Sequence, residues 1–185
     1  MEHIKSLKNI KIIKIFFIVF LSTIVLALSA KVKIPFYPVP MTMQTFVVIL
    51  LGVIFGWKIG LAAIFLYIFE GILGLPVFSG TPEKGIGISY FIGPTMGYLI
   101  GFLISVFISG YFKFSAWSNL KGYMLTFGKL LIAVSPIYIL GMMWLSNFVG
   151  WEKVFLVGAK PFLLAELFKI LLLTFLIPFI VKRKN

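Results

Sequence analysis

Of the 185 residues, 61% are hydrophobic, 17% aromatic and only 12% charged. A water-soluble domain runs nearer 45–50% apolar and about 25% charged, so a soluble globular enzyme is excluded. Seventeen Lys and Arg against five Asp and Glu give a net charge of +12; in so apolar a chain this reads as membrane topology rather than nucleic-acid binding. There is no cysteine, and the single histidine, His3, stands beside the N-terminus. Disulfides, thiolate or histidine metal sites and Cys- or His-based catalysis are therefore excluded, and neither a cofactor nor a metal is expected.

In chain order, the hydrophobic runs broken by Gly, Pro and charge predict six membrane spans. Span 1 covers residues 12–30 and the short span 2 covers 41–56. The dipeptide Trp57-Lys58 makes a tight connection to span 3, at 59–73. A loop rich in Gly and Pro, residues 74–90, precedes span 4 at 91–112; span 5 lies within 122–146 and span 6 at 162–181. The lysines at 5, 8, 11 and 14, followed by an apolar run and Ala27-Leu28-Ser29-Ala30, also resemble a signal peptide. The run is too long for the usual signal core and further spans follow at once, so a membrane helix is expected. The whole of 1–185 is expected to be one integral-membrane domain. Six spans of about 20 residues leave roughly 65 for loops and tails, too few for a second domain.

Six spans put both termini on one side. That face receives ten loop and tail Lys and Arg, including Lys58, Lys113 and Lys121; the other receives Lys31, Lys33, Lys84, Lys153 and Lys160. The bias predicts cytoplasmic termini in the inner cell membrane. Lys129, just before the uncharged run 130–146, is expected to snorkel to the inner boundary.

Ionisable residues inside lipid are candidates for function, because hydrocarbon makes them costly. Glu70, Glu166 and Lys169 qualify. Counting inward from residue 162 at 1.5 Å per residue puts Glu166 and Lys169 roughly 6 and 10 Å deep, in the outer half of a core about 30 Å thick. Gln44, at the outer start of span 2, joins them. Three residues apart, Glu166 and Lys169 share a helix face. They form either an ion pair that ties the bundle together or a clamp for a ligand carrying both donors and acceptors. Glu70, near a helix end, either joins that clamp or reaches water.

The outer loops are unusual connectors. Three prolines stiffen Pro35-Phe36-Tyr37-Pro38-Val39-Pro40. Residues 74–90 mix glycine turns with apolar and aromatic side chains, the pattern of a lid over an apolar pocket. On span 4, Gly93, Gly97 and Gly101 recur every fourth residue, a spacing that lets another helix approach closely. No phosphate-binding loop, Gly-x-Ser-x-Gly or His-Glu-x-x-His is present, so neither ATP hydrolysis nor proteolysis is expected of the chain.

Four stretches together resemble the BioY family, the biotin-specific substrate-binding (S) components of energy-coupling-factor (ECF) transporters. They are Pro38-Val39-Pro40-Met41-Thr42-Met43-Gln44-Thr45-Phe46, Gly74-Leu75-Pro76-Val77-Phe78-Ser79-Gly80, Gly93-Pro94-Thr95-Met96-Gly97-Tyr98 and Pro161-Phe162-Leu163-Leu164-Ala165-Glu166-Leu167-Phe168-Lys169. The likeness runs from span 1 to the end of span 6. Where the family commonly reads Gly-Asp-x-x-Lys, this chain reads Ala165-Glu166-Leu167-Phe168-Lys169, and Thr81-Pro82-Glu83-Lys84 replaces a glycine-rich stretch.

The resemblance implies an all-α six-helix bundle that captures biotin at the outer face and passes it inward, with a membrane coupling subunit and ATPase subunits as partners and no enzymatic activity of its own. On that reading Glu166 accepts from the ureido N–H groups and Lys169 donates to the ureido oxygen. Phe78 and Tyr90 cover the bicycle, and Gln44 and Glu70 complete the polar shell. The alternatives are an S component for another vitamin, such as thiamine or riboflavin, and a solitary ion-coupled carrier.

Overall fold

The computed structural model describes residues 2–34, 37–83, 85–115 and 119–182, with the side chains of 2–11 and 34 left aside. Lys84, Arg183, Lys184 and the Pro35-Phe36 pair lie outside the described residues, as do the side chains of His3, Lys5, Lys8 and Lys11. Helix α1 (Glu2–Lys31) leads into a two-residue strand pair, β1 (Lys33–Ile34) and β2 (Met41–Thr42). The strands are antiparallel, with Lys33 opposite Thr42 and Ile34 opposite Met41. Then come α2 (Gln44–Ile72), the one-turn α3 (Ile88–Phe91), α4 (Met96–Tyr111), α5 (Leu120–Val149) and α6 (Trp151–Gly158). A 3₁₀ turn, Lys160–Phe162, joins α6 to α7 (Leu163–Lys182).

By length and apolar composition, four helical stretches among the described residues suffice to cross a membrane: Ile12–Lys31, Gln44–Ile72, Leu120–Val149 and Trp151–Lys182. Met96–Tyr111 is a shorter apolar helix. A chain in hydrocarbon must satisfy its own backbone, and helices do so within one segment.

Helix α2 is not a straight rod. Gly56 takes φ 76° and ψ 170°, a left-handed conformation that glycine reaches without steric cost. The chain folds back there: a Cβ on Gly60 would lie 3.5 Å from the Cα of Gly52, far closer than the roughly 12 Å that eight residues span in a straight helix. The two arms of α2 correspond to the predicted spans 2 and 3. Span 2 starts later than predicted, since Met41 and Thr42 are paired as a strand and the helix opens at Gln44.

Span 4 also differs from expectation. Its helix opens at Met96 rather than at 91, after residues 92–95, where Pro94 offers no N–H to the preceding carbonyls. Helix α6 was not anticipated. It starts beyond Gly150, whose φ of 80° ends α5, and its eight residues are too few to register as a span.

Small residues set the packing, as expected where lipid supplies no hydrophobic drive between helices. A Cβ on Gly97 or Gly101 would strike the α5 backbone at Leu140 or Ile137, so α4 and α5 approach through both glycines. Gly93 lies instead beside the carbonyl of Tyr90, outside that seam. Gly52 and Gly60 perform the same service between the arms of α2 and Val106 and Ser109 of α4. The core contains Leu26, Ile64, Tyr67, Phe78, Val106 and Leu145, all but inaccessible. The Lys129 ammonium donates to the Lys113 carbonyl at 2.6 Å, tying α5 to the chain that follows α4.

Candidate functional site

The first turn of α7 carries a carboxylate where the helix N-terminus favours negative charge. Glu166 occupies that turn and Lys169 follows one turn on; they are 4% and 5% exposed. Their ion pair is 3.2 Å long. Its remaining bonds come from distant parts of the chain. Glu166 Oε2 accepts from the Thr45 hydroxyl at 3.0 Å and the Tyr138 phenol at 2.9 Å. The Lys169 ammonium donates to the Thr42 carbonyl at 2.7 Å, to Thr45 Oγ1 at 2.9 Å and to Glu166 Oε2 at 3.2 Å. An ammonium has three hydrogens, and each has an acceptor.

The other oxygen, Glu166 Oε1, is buried and has no hydrogen-bond partner among the described residues. A charged acceptor left in this state is costly unless something completes it. Glu166 and Lys169 line a cavity of about 60 Å³ shared with Pro40, Thr42, Gln44, Thr45, Phe78, Ser79, Tyr98, Phe102, Tyr138 and Phe162. Tyr90 and Thr95 also line it.

Each wall has a local origin. Tyr138 is oriented by its edge-on contact with Tyr98, 6.4 Å between ring centres at 87°. The Tyr98 ring lies where a side chain on Gly141 would be, and its phenol donates to the Gly158 carbonyl at 2.7 Å. Gln44 Nε2 donates to the Tyr67 phenol at 2.7 Å, and Tyr67 donates in turn to the Val77 carbonyl at 3.0 Å. This chain ties the start of α2 to the 74–90 loop.

That loop folds inward as the lid pattern predicts. Phe78 is 1% exposed, edge-on to Tyr67 at 5.3 Å and stacked on Tyr90 at 4.9 Å. Its ring fills the space beside Gly71, where a methyl group would collide with it. The Tyr90 phenol donates to the Ser79 carbonyl at 2.6 Å. Burial raises its pKa above the ordinary phenol value, opposed in part by a hydrogen bond with the Thr95 side chain. It therefore stays a protonated donor at neutral pH. From α1, the Lys31 ammonium donates to the Phe78 carbonyl at 3.2 Å and the Thr81 carbonyl at 3.1 Å, clamping the same turn.

Five of the sequence-predicted residues, Glu166, Lys169, Gln44, Phe78 and Tyr90, meet around this cavity. Glu70 does not. It accepts from Thr23 Oγ1 of α1 at 3.0 Å and lines a separate groove with Phe20, Ile24 and Leu28. The inward face of this arm carries Gly60, Ile64, Tyr67 and Gly71, and Glu70 stands at its flank, toward α1. Sequence reasoning passed over Thr45, Tyr138 and Ser79. Thr45 and Ser79 lie within motifs quoted for the family, whereas nothing near Tyr138 distinguishes it from other tyrosines in apolar helices.

With this geometry in view, the comparisons with known proteins converge. The model of the BioY family matches residues 3–185. The chain belongs to the BioY family. A protein named probable biotin transporter BioY, from Pyrococcus horikoshii, is 38% identical over 143 residues, covering 77% of this chain and 81% of that one. The biotin transporter BioY of Thermotoga maritima is 34% identical over 153 residues, covering 80% and 84%. The crystal structure of the S component for biotin from an ECF-type ABC transporter shares the fold at TM-score 0.75 and 24% identity, with 96% of this chain and 94% of that one aligned. This BioY chain keeps a carboxylate and an ammonium one turn apart on α7, with glutamate as the carboxylate.

Proposed function

We propose that the protein captures biotin in the α7 cavity and is the S component of an ECF transporter, working with a coupling subunit and ATPase subunits. The single observation that carries this reading is Glu166 Oε1, a buried acceptor without a partner among the described residues, on a side chain that lines the cavity and is braced through its other oxygen by Tyr138, Thr45 and Lys169. Biotin presents a cyclic urea with two N–H donors, and one of them completes this oxygen. A site built to pair one such group rejects molecules that leave it unpaired. Lys169 acts first as the brace; to reach the ureido oxygen it gives up one of its three present acceptors.

A pocket for a vitamin-sized ligand usually measures about 300 Å³ or more. The cavity is about 60 Å³, so entry requires the wall to open, and the turn bearing Phe78 is the part proposed to move outward. Phe78 and Tyr90 then close over the bicycle, with Gln44 at the rim. Glu70, on the α1 side, is left outside the shell.

In the membrane, α1, the two arms of α2, α4, α5 and α7 make the six spans of this reading. The excess of loop and tail lysines on one side supports cytoplasmic termini, with the cavity toward the outer face of the inner membrane. Calorimetric titration of the purified chain with biotin, thiamine and riboflavin tests the function. Saturable binding of biotin alone is expected; a response to either of the others, or to none, sinks the assignment.

The seat of Phe78 yields a sharper prediction. Gly71→Ala places a methyl group where the ring lies and displaces it from between Tyr67 and Tyr90. Biotin affinity is expected to fall at least tenfold, about 1.4 kcal/mol. Gly128→Ala, whose Cβ has nothing within 4 Å, should leave affinity unchanged. Equal affinities for the two variants would remove Phe78 from the site.

A further inference from the structure

We propose that Ser79 is a specificity-determining residue of the cavity, its hydroxyl donating a hydrogen bond to an acceptor on the bound ligand. The inference rests on the biotin reading and deepens it. Ser79 is 4% exposed and lines the cavity, and its Oγ has no hydrogen-bond partner among the described residues. Several buried hydroxyls within helices satisfy themselves on the preceding turn. Ser29 donates to the Leu26 carbonyl at 2.7 Å, Ser146 to Met143 at 2.8 Å and Thr174 to Ile170 at 2.8 Å. Ser79 stands on a non-helical turn and has no such carbonyl.

Ser105 is the informative contrast. Its hydroxyl is also buried and unpartnered, but it lies within α4 and does not line the cavity. Being unpaired is therefore not the argument by itself; being unpaired at the wall where Glu166 Oε1 is unpaired too is the argument.

The turn around Ser79 is held in place from three sides. The Tyr90 phenol takes the Ser79 carbonyl, Lys31 takes the carbonyls on either side of it at Phe78 and Thr81, and the Thr81 hydroxyl donates back to the Phe78 carbonyl at 2.7 Å. These bonds hold the backbone of the turn, and the Ser79 hydroxyl has no partner among the described residues. A hydroxyl rotates to suit its partner, and an ionised carboxylate can only accept. The two unpaired groups thus ask for a ligand with both a donor and an acceptor. In biotin the donor is a ureido N–H, and the acceptor is either the ureido oxygen or the valeryl carboxylate.

The test compares wild type, Ser79→Ala and Ser79→Cys by titration with biotin and with an analogue whose terminal carboxyl is replaced by methyl, alongside ligand-free melting temperatures. Ser79→Ala is expected to weaken biotin at least fivefold, with Ser79→Cys between the two because a thiol donates weakly. The ligand-free melting temperature should hold or rise, since the alanine removes a buried hydroxyl that bonds to nothing. A loss kept with the methyl-ended analogue assigns the ureido oxygen as the acceptor; a loss abolished with it assigns the carboxylate. Wild type that binds biotin while Ser79→Ala matches it overturns this proposal alone. The same holds if ligand-free stability falls in step with affinity, the mark of a purely structural residue. Wild type that ignores biotin overturns the functional reading together with it.

Discussion

Replacing Glu166 by glutamine is expected to lower biotin affinity about 100-fold. The amide nearly matches the carboxylate in shape, so the cavity should persist and the change isolates charge. In the native site Oε2 accepts three hydrogen bonds, from Thr45, Tyr138 and Lys169, while Oε1, the oxygen proposed to meet the ligand, has no partner among the described residues. Glutamine has one acceptor and one donor group. If its oxygen takes over the three bonds of Oε2, its NH₂ faces the cavity and meets the ureido N–H donor to donor. If it turns over, the NH₂ meets the Lys169 ammonium. Either arrangement loses a hydrogen bond to a charged acceptor, worth about 1.5–3 kcal/mol. The upper part of that range corresponds to a factor of about 100 in the dissociation constant. Titration of the purified variant reads this directly, and an affinity within threefold of wild type would remove Glu166 from the ligand.

Lys169→Met is expected to damage stability as well as binding. Removing one partner of a buried ion pair strands the other charge, at a cost of about 3–5 kcal/mol. Here Glu166 would be left 4% exposed with only the Thr45 and Tyr138 hydroxyls facing it. The Thr42 carbonyl, which terminates β2, would lose its 2.7 Å bond and with it the tie between the strand pair and α7. A marked drop in melting temperature and at least a tenfold loss of biotin affinity should follow together. Adding Glu166→Gln to Lys169→Met removes the stranded charge, so the double variant should recover stability over Lys169→Met while remaining unable to bind. A double variant no more stable than the single would show that the buried pair is not what sets the cost.

The two predictions depend on different kinds of information. That Glu166 and Lys169 share a face is a local property: three residues of α-helix bring side chains together whatever surrounds them. Their presence in an apolar run is equally local, and it marks them at once. Neither property says which residues complete the pair. Thr45 lies 121 residues from Glu166 and Tyr138 lies 28 away, on separate helices. The phase of α2 makes the same point for Glu70. Its charge within an apolar span drew attention, yet the inward stripe of Gly60, Ile64, Tyr67 and Gly71 leaves it on the flank against Thr23. The inward packing of the 74–90 connector was legible because glycines and aromatics in a connector are themselves unusual. That it folds down on Tyr67 and Tyr90 depended on Gly71, whose missing side chain makes the space.

From the sequence by itself followed the membrane class, the reversal near Trp57-Lys58, the small-residue spacing on α4 and the carboxylate–ammonium face of α7. These follow from hydropathy, turn chemistry and helical period, all of which act over a few residues. The tertiary structure alone decided that Oε2 of Glu166 is spent on the protein while Oε1 is buried without a partner among the described residues, that each hydrogen of the Lys169 ammonium has an acceptor, and that Ser79, whose hydroxyl is likewise unpaired, lines the same cavity. The physical reason is the close approach of α4 and α5 at Gly97 and Gly101 and of the two arms of α2 at Gly52 and Gly60. Such contacts join residues far apart in the chain, and no local period records which of them will meet.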